Sequence, residues 1–185
     1  MVKEVRLKAG SNLAGFDEIA RECLDGVLAS YGFALEFSRI EELGALRRYR
    51  NGHRYITVDV RTSPSAPVGH VRLGTGSNEW PEAEWNQIPL WKLIKAKRAD
   101  HDGTEYPLDN LTLRSVLTAI STDLQDYAMD FIAGELFVFK HLRAEAAKTR
   151  PPYENVGSGP YSENTLKFMR VSKLLKDKYS DERAA

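Results

Sequence analysis

Apolar residues at Leu13, Phe16, Ile19, Ala20, Cys23, Leu24, Val27 and Leu28 recur at intervals of three and four. That spacing lines one side of an α-helix and predicts a helix over 13–31. Ser11 or Asn12 can cap its free N–H groups, Asp17 and Glu18 suit its positive end, and Gly32 can take the left-handed stop. From Phe33 to Leu73 the period falls to two. Phe33, Leu35 and Phe37 alternate with Ala34, Glu36 and Ser38, and Ile56, Val58 and Val60 alternate with Thr57, Asp59 and Arg61, the pattern of half-buried strands. Asn51-Gly52 is a two-residue hairpin signal, Ser63 to Pro67 a second turn, and 68–73 a further strand with Val71 and Leu73 inward.

Beyond a loop over 74–86, Leu90, Leu93 and Ile94 mark a short helix near 89–97, and 99–109 reads as a polar loop. Leu113, Val116, Leu117, Ile120, Leu124, Tyr127, Ala128 and Phe131 predict a long amphipathic helix, capped by Asp109 or Asn110 and ended near Gly134. Helices over 135–148 and 164–179 follow, separated by Pro151-Pro152. One helix, then strands, then helices is the order of an α+β fold. The expectation is one domain over 1–185: a helix at 13–31, an antiparallel sheet of about four strands at 33–73, and a helical part at 88–179. The N-terminal helix and the C-terminal helices then cover one face of the sheet.

Composition narrows the partners. Basic and acidic residues number 26 each, so no whole-molecule field draws the chain to nucleic acid or an anionic membrane, and any attraction must be local. A single cysteine, Cys23, excludes an internal disulfide framework and suits a reducing compartment. The first residues alternate charged with apolar and lack the apolar run of a signal peptide, and no stretch approaches the ~20 apolar residues of a membrane span. The expectation is a cytoplasmic location, with no membrane partner.

Turning at Asn51-Gly52 pairs Arg50 with His53 and Arg48 with Tyr55. These share a face with Thr57, Asp59 and Arg61, and His70 and Arg72 join it if the next strand pairs in matching register. Such a basic, aromatic platform suits an acidic protein or a nucleic-acid backbone, and it equally suits a solvated sheet face with charges that blunt exposure. Arg47 falls on the apolar side, where it must snorkel to the margin or pair with a carboxylate. Trp80 and Trp85, beside Glu82 and Glu84, are candidate anchors for a partner or a lid on the core.

Catalytic signals are weak. Gly74-Thr-Gly-Ser77 lacks the Lys-Ser/Thr end of a phosphate-binding loop, Asp100 to Glu105 is a truncated version of a calcium loop, and the histidines have no zinc spacing. Cys23 lies on an apolar stripe, and no serine sits in a nucleophile elbow. Asp123, Asp126 and Asp130 share a helix side that reads most simply as its wet face, and the last helix carries a basic stripe of Lys167, Arg170, Lys173, Lys176 and Lys178. No catalytic residue, metal site or cofactor is assigned.

The order of elements, with Tyr31-Gly-Phe33 opening the sheet, Tyr55-Ile-Thr-Val-Asp-Val60, Leu90-Trp-Lys-Leu-Ile94, and Asp123-Leu-Gln-Asp-Tyr127 running on to Phe131-Ile-Ala-Gly134, resembles small bacterial immunity-type proteins associated with toxins or phage defence. The resemblance implies a binder that blocks a partner by surface contact and needs no active site. The expected function is thus a non-catalytic protein-binding module, an immunity or inhibitor-type protein or accessory subunit. Its candidate contacts are Arg48, Arg50, His53, Tyr55, Asp59, His70, Arg72, Trp80 and Trp85. The alternative is a nucleic-acid accessory domain of a defence system, reading backbone through Arg48, Arg50, Arg54 and Arg72.

Overall fold

The computed structural model describes residues 4–6, 13, 15–62, 68–79, 82–101, 105–108, 112–150 and 163–182. A short strand β1 (Glu4–Arg6) precedes a helical segment made of α1 (Phe16–Ala20), a π-helical turn (Arg21–Asp25) and α2 (Gly26–Ala29). Gly32, at φ 77°, ends it, as the amide of Phe33 returns to the carbonyl of Leu28. Four eight-residue strands follow: β2 (Ala34–Glu41), β3 (Gly44–Asn51), β4 (Arg54–Arg61) and β5 (Val68–Thr75). After them come β6 (Gln87–Pro89), α3 (Leu90–Lys97), β7 (Tyr106–Pro107), α4 (Leu113–Tyr127), α5 (Met129–Ala133), α6 (Phe137–Thr149) and α7 (Glu163–Asp181). Among the described residues no helix is long and apolar enough to cross a membrane.

The fold is α+β around a sheet of order β1-β2-β3-β4-β5-β6, with β7 also on the outer edge of β5. The strands from β2 to β6 form an antiparallel meander, while β1 runs parallel to β2. Seven strands therefore replace the four expected. The additional three are two or three residues long, too short to show a period of two.

One face of the sheet carries Ala45, Tyr49, Ile56, Val58, Val60, Val71 and Leu73, all buried in a core shared with Phe16, Leu24, Leu28, Leu93, Val116, Leu117, Ile120 and Phe131. A Cβ on Gly69 would lie 3.1 Å from Val116, which shows how closely α4 approaches β5 there. Arg47 and Arg54 also point to this side. Arg47, with 2% of its side chain exposed, donates from Nη2 to both Asp25 oxygens at 3.0 Å and from Nη1 to the Asp17 carbonyl at 2.8 Å. Of the two fates open to it, pairing with carboxylates is the one adopted. Arg54 donates to the carbonyls of Phe131 and Ile132 at the end of α5 and lies over the Phe33 ring, so a cation meets the negative end of a helix.

A smaller cluster of Trp85, Ala147, Leu175 and Tyr179 joins α7 to α6. Trp91 is half-buried, with Lys92 near its ring.

Candidate partner-binding face

The hairpin between β3 and β4 closes with Asn51 opposite Arg54, leaving Gly52 (φ 57°) and His53 as its loop. The register is two residues from the expected one: Arg50 faces Tyr55, and Arg48 faces Thr57. A shift of two leaves every side chain on its original face. The loop moves because the Asn51 amide is used elsewhere, donating to the Tyr31 carbonyl at 2.8 Å and tying the hairpin to the end of α2. His53 is accordingly corrected from a strand-face residue to an exposed turn residue.

Across the outer face, Arg48 and Thr57 line up with Arg72, Leu46 and Asp59 with His70, and Arg50 and Tyr55 with Gly74. The matching register on β5 thus brings His70 and Arg72 onto this face. A β-bulge between Leu35 and Phe37 turns Phe37 to the same side, opposite Arg48, and sends Ser38 and Ile40 inward. Arg54, expected to read a backbone from this surface, lies on the other side of the sheet.

Tyr55 is a scaffold rather than a contact surface. It is 1% exposed, its ring lies across Gly74, and its hydroxyl donates to Asn86 Oδ1 at 2.8 Å. The Asn86 amide passes the connection on to the Ser77 carbonyl. The guanidinium groups of Arg50 and Arg48 lie 5.3 and 5.9 Å from the ring centre, in reach of its negative π-face. Burial pushes the phenol up to about 12, although both arginines pull in the opposite direction.

The tight seat makes a strong prediction for Gly74→Ala. The new methyl would stand 2.1 Å from Tyr55 Cζ, within the ring's own volume. Urea denaturation should show a loss of about 3 kcal/mol, and Tyr55→Leu in the same chain should return at least about 1 kcal/mol of it by relieving the clash. A Gly74→Ala protein as stable as the parent would disprove the described ring position.

Most charges on this face are already answered. Arg50 pairs with Glu36 at 2.7 Å, Arg61 with Asp59 at 3.1 Å, Arg39 with Glu41, and His70 Nδ1 with Glu105 at 2.5 Å. Two arginines differ. Arg48 reaches only the Thr57 hydroxyl, at 3.3 Å, and Arg72 takes no hydrogen bond or ion pair among the described residues. Thr57 and Asp59 are 4% and 5% exposed, so the central strand is buried on both faces rather than half-buried; the surface belongs to the longer side chains around it. Next to them opens a cleft of about 530 Å³ lined by Phe37, Arg39, Leu46, Arg48, Asp59 and Arg61.

No known protein family, characterised protein or solved structure matches this chain. The face must therefore be read from its own chemistry.

Trp85 is corrected from a partner anchor to a buried one. It is 4% exposed, packs with Ala147, Leu175 and Tyr179, and carries the Arg150 guanidinium 5.0 Å from its ring centre. Trp80 lies outside the described residues, as does Asp102. The acidic row on α4 and α5 is partly engaged: Asp123 accepts from the Tyr106 hydroxyl at 2.7 Å, and Asp130 pairs with Lys97 at 2.7 Å. Among the described residues no three His, Cys, Asp or Glu side chains are grouped to hold a metal ion. Cys23 is half-buried, with its Sγ 3.7 Å from the Thr118 hydroxyl.

Missed by sequence reasoning were Phe37, Leu46 and Arg39. Phe37 was hidden by the bulge, which breaks the alternation that placed it inward. Leu46 could have been found, since its even number puts it in line with Arg48 on the same strand.

Proposed function

We propose that this chain is a non-catalytic binding module that engages an acidic partner protein across the outer sheet face, as an immunity or inhibitor-type protein or an accessory subunit would. The observation that carries the reading is the pair Arg48 and Arg72, two arginines without carboxylate partners among the described residues, the first of them lining a cleft that offers Phe37 and Leu46. An apolar side chain of the partner fills the cleft, and its neighbouring carboxylates meet the two guanidinium groups. Burial of the apolar contact supplies affinity, while the charges set orientation and speed encounter. The lone cysteine suits work in a reducing compartment such as the cytoplasm.

Binding of a nucleic-acid backbone is the weaker alternative on this geometry. Arg54 is turned inward and Arg50 is held by Glu36, which leaves two uncompensated arginines where a phosphate-tracking surface needs several.

The test is affinity capture from the native host, repeated with the purified partner. Arg48→Glu with Arg72→Glu should weaken the complex about 100-fold, chiefly through slower association with reduced salt dependence. Thermal stability should fall only slightly, because Arg72 holds no partner among the described residues and Arg48 gives up one long hydrogen bond to Thr57 and its place near the Tyr55 ring. Binding untouched by the double variant, or no stoichiometric partner at all, would reject the reading. Tight duplex DNA binding that falls steeply with salt would replace it with the alternative.

A further inference from the structure

The outward side of α7 has no role in the sheet-face reading and carries its own signal. Phe168, Ser172, Leu175 and Tyr179 are buried on one side of the helix. On the opposite side Leu166 and Leu174 are 41% and 69% exposed, and Arg170 stands between them, four residues from each. That is an i, i+4, i+8 strip along a single face. A cavity of about 380 Å³ opens beside it, bordered by Glu163, Leu166, Lys167, Arg170 and Val171.

An ordinary solvated helix face meets its cations with carboxylates three or four residues away. Lys167 has Glu163 and Lys173 has Asp177 at that spacing. Arg170 has only leucine at four residues and lysine at three, in both directions. It takes no ion pair among the described residues. The strip is thus an apolar pair with an unanswered charge at its centre, flanked by Lys167 and Lys173.

We infer that this strip docks an acidic amphipathic helix of a partner protein. The partner's apolar residues pack over Leu166 and Leu174, a central glutamate or aspartate reaches Arg170, and flanking carboxylates meet Lys167 and Lys173. Two other occupants fit less well. A second copy of α7 crossed at Arg170 places Arg170 against Arg170 and, when antiparallel, Lys167 beside Lys173, so like charges meet along the seam. An anionic membrane takes up an apolar stripe with cations on the opposite side, whereas here the cation sits between the leucines and would be carried into the acyl region with them.

The probe is a designed helical peptide of about 20 residues, with leucines either side of a central glutamate and glutamates along both flanks. Titrated into the full chain at low salt, it should bind in the micromolar range. Leu174→Gln should weaken binding about tenfold, and Arg170→Glu by more, with unchanged melting because both residues point to solvent. Arg48→Glu with Arg72→Glu should leave the peptide's affinity as it was, which separates this surface from the sheet face. No binding, binding indifferent to Leu174→Gln, self-association of the chain at about 100 μM, or capture by phosphatidylserine vesicles in place of the peptide would each overturn the inference.

Discussion

Replacing Asp25 by alanine should destabilise the protein by about 3 kcal/mol, because it strands the Arg47 guanidinium in the core. Two of the arginine's hydrogen bonds end on the Asp25 carboxylate, and the Tyr49 hydroxyl donates to the same group at 2.7 Å. Asp17 remains, its backbone carbonyl at 2.8 Å and its carboxylate at 3.4 Å, the latter also taking the Ser38 hydroxyl at 2.5 Å. The residual partner and the partial exposure of Asp25, 32% of its side chain, keep the loss below the value for a fully isolated buried charge. In a chain of this size the melting temperature should fall by roughly 6 to 12 °C.

The control lies in what a buried ion pair is worth. Removing one member leaves an uncompensated charge, whereas exchanging the whole set for apolar groups of similar volume is often neutral. Arg47→Met combined with Asp25→Ala should therefore recover most of the stability that Asp25→Ala alone removes. Asp25→Asn, which keeps an acceptor for Tyr49, should fall between. If urea denaturation finds the double variant no more stable than Asp25→Ala, Arg47 does not hold its charge in the core as described.

That network also marks where sequence reasoning stops. The stripe over 13–28 located the first helix, because the apolar spacing of its buried residues survives almost unchanged. It could not show that Asp17 and Asp25 both reach one arginine. Around a regular helix eight residues leave them about 80° apart. The π-helical turn over Arg21–Asp25 takes extra residues per turn, which brings Asp25 back toward the line of Asp17. A local change of pitch leaves no trace in hydrophobic periodicity.

The same contrast runs through the sheet. Ile56, Val58, Val60, Val71 and Leu73 declared their face by simple alternation, and the set Arg48, Arg50, Tyr55, Asp59, His70 and Arg72 came with it by exclusion. The assignment of faces survived a misplaced turn only because the register error was an even number of residues. Burial of Trp85 was invisible for a different reason. The residues that cover it, Ala147, Leu175 and Tyr179, lie more than 60 positions away, and their approach depends on how α6 and α7 pack. Alternation tells which way a side chain points and not what later packs on top of it.

Alkali should unfold the protein cooperatively, through four tyrosines that the fold keeps protonated. Tyr49 is raised well above an ordinary phenol by burial, with the hydrogen bond to Asp25 and that residue's charge adding to the shift against Arg47. Tyr106 is raised by burial and then by Asp123, Tyr55 to about 12 by burial, and Tyr179 by burial. In the unfolded chain all four ionise near pH 10. Each folded-state value therefore lies above its unfolded counterpart, and the associated stability is fully present below pH 10. Above it the unfolded state binds up to four fewer protons than the native state, so stability falls as pH rises, by up to about 5 kcal/mol per unit. The decline becomes less steep once Tyr55 begins to ionise in the folded protein near pH 12. Far-UV dichroism and tyrosinate absorbance should accordingly show one shared transition for these residues between pH 10 and 12. Tyr49→Phe removes one of the four protons, and the slope of stability against pH should drop by about a quarter. Complete tyrosinate absorbance from a chain whose dichroism is still native would contradict the burial of these phenols. An unchanged slope in Tyr49→Phe would remove Tyr49 from the set.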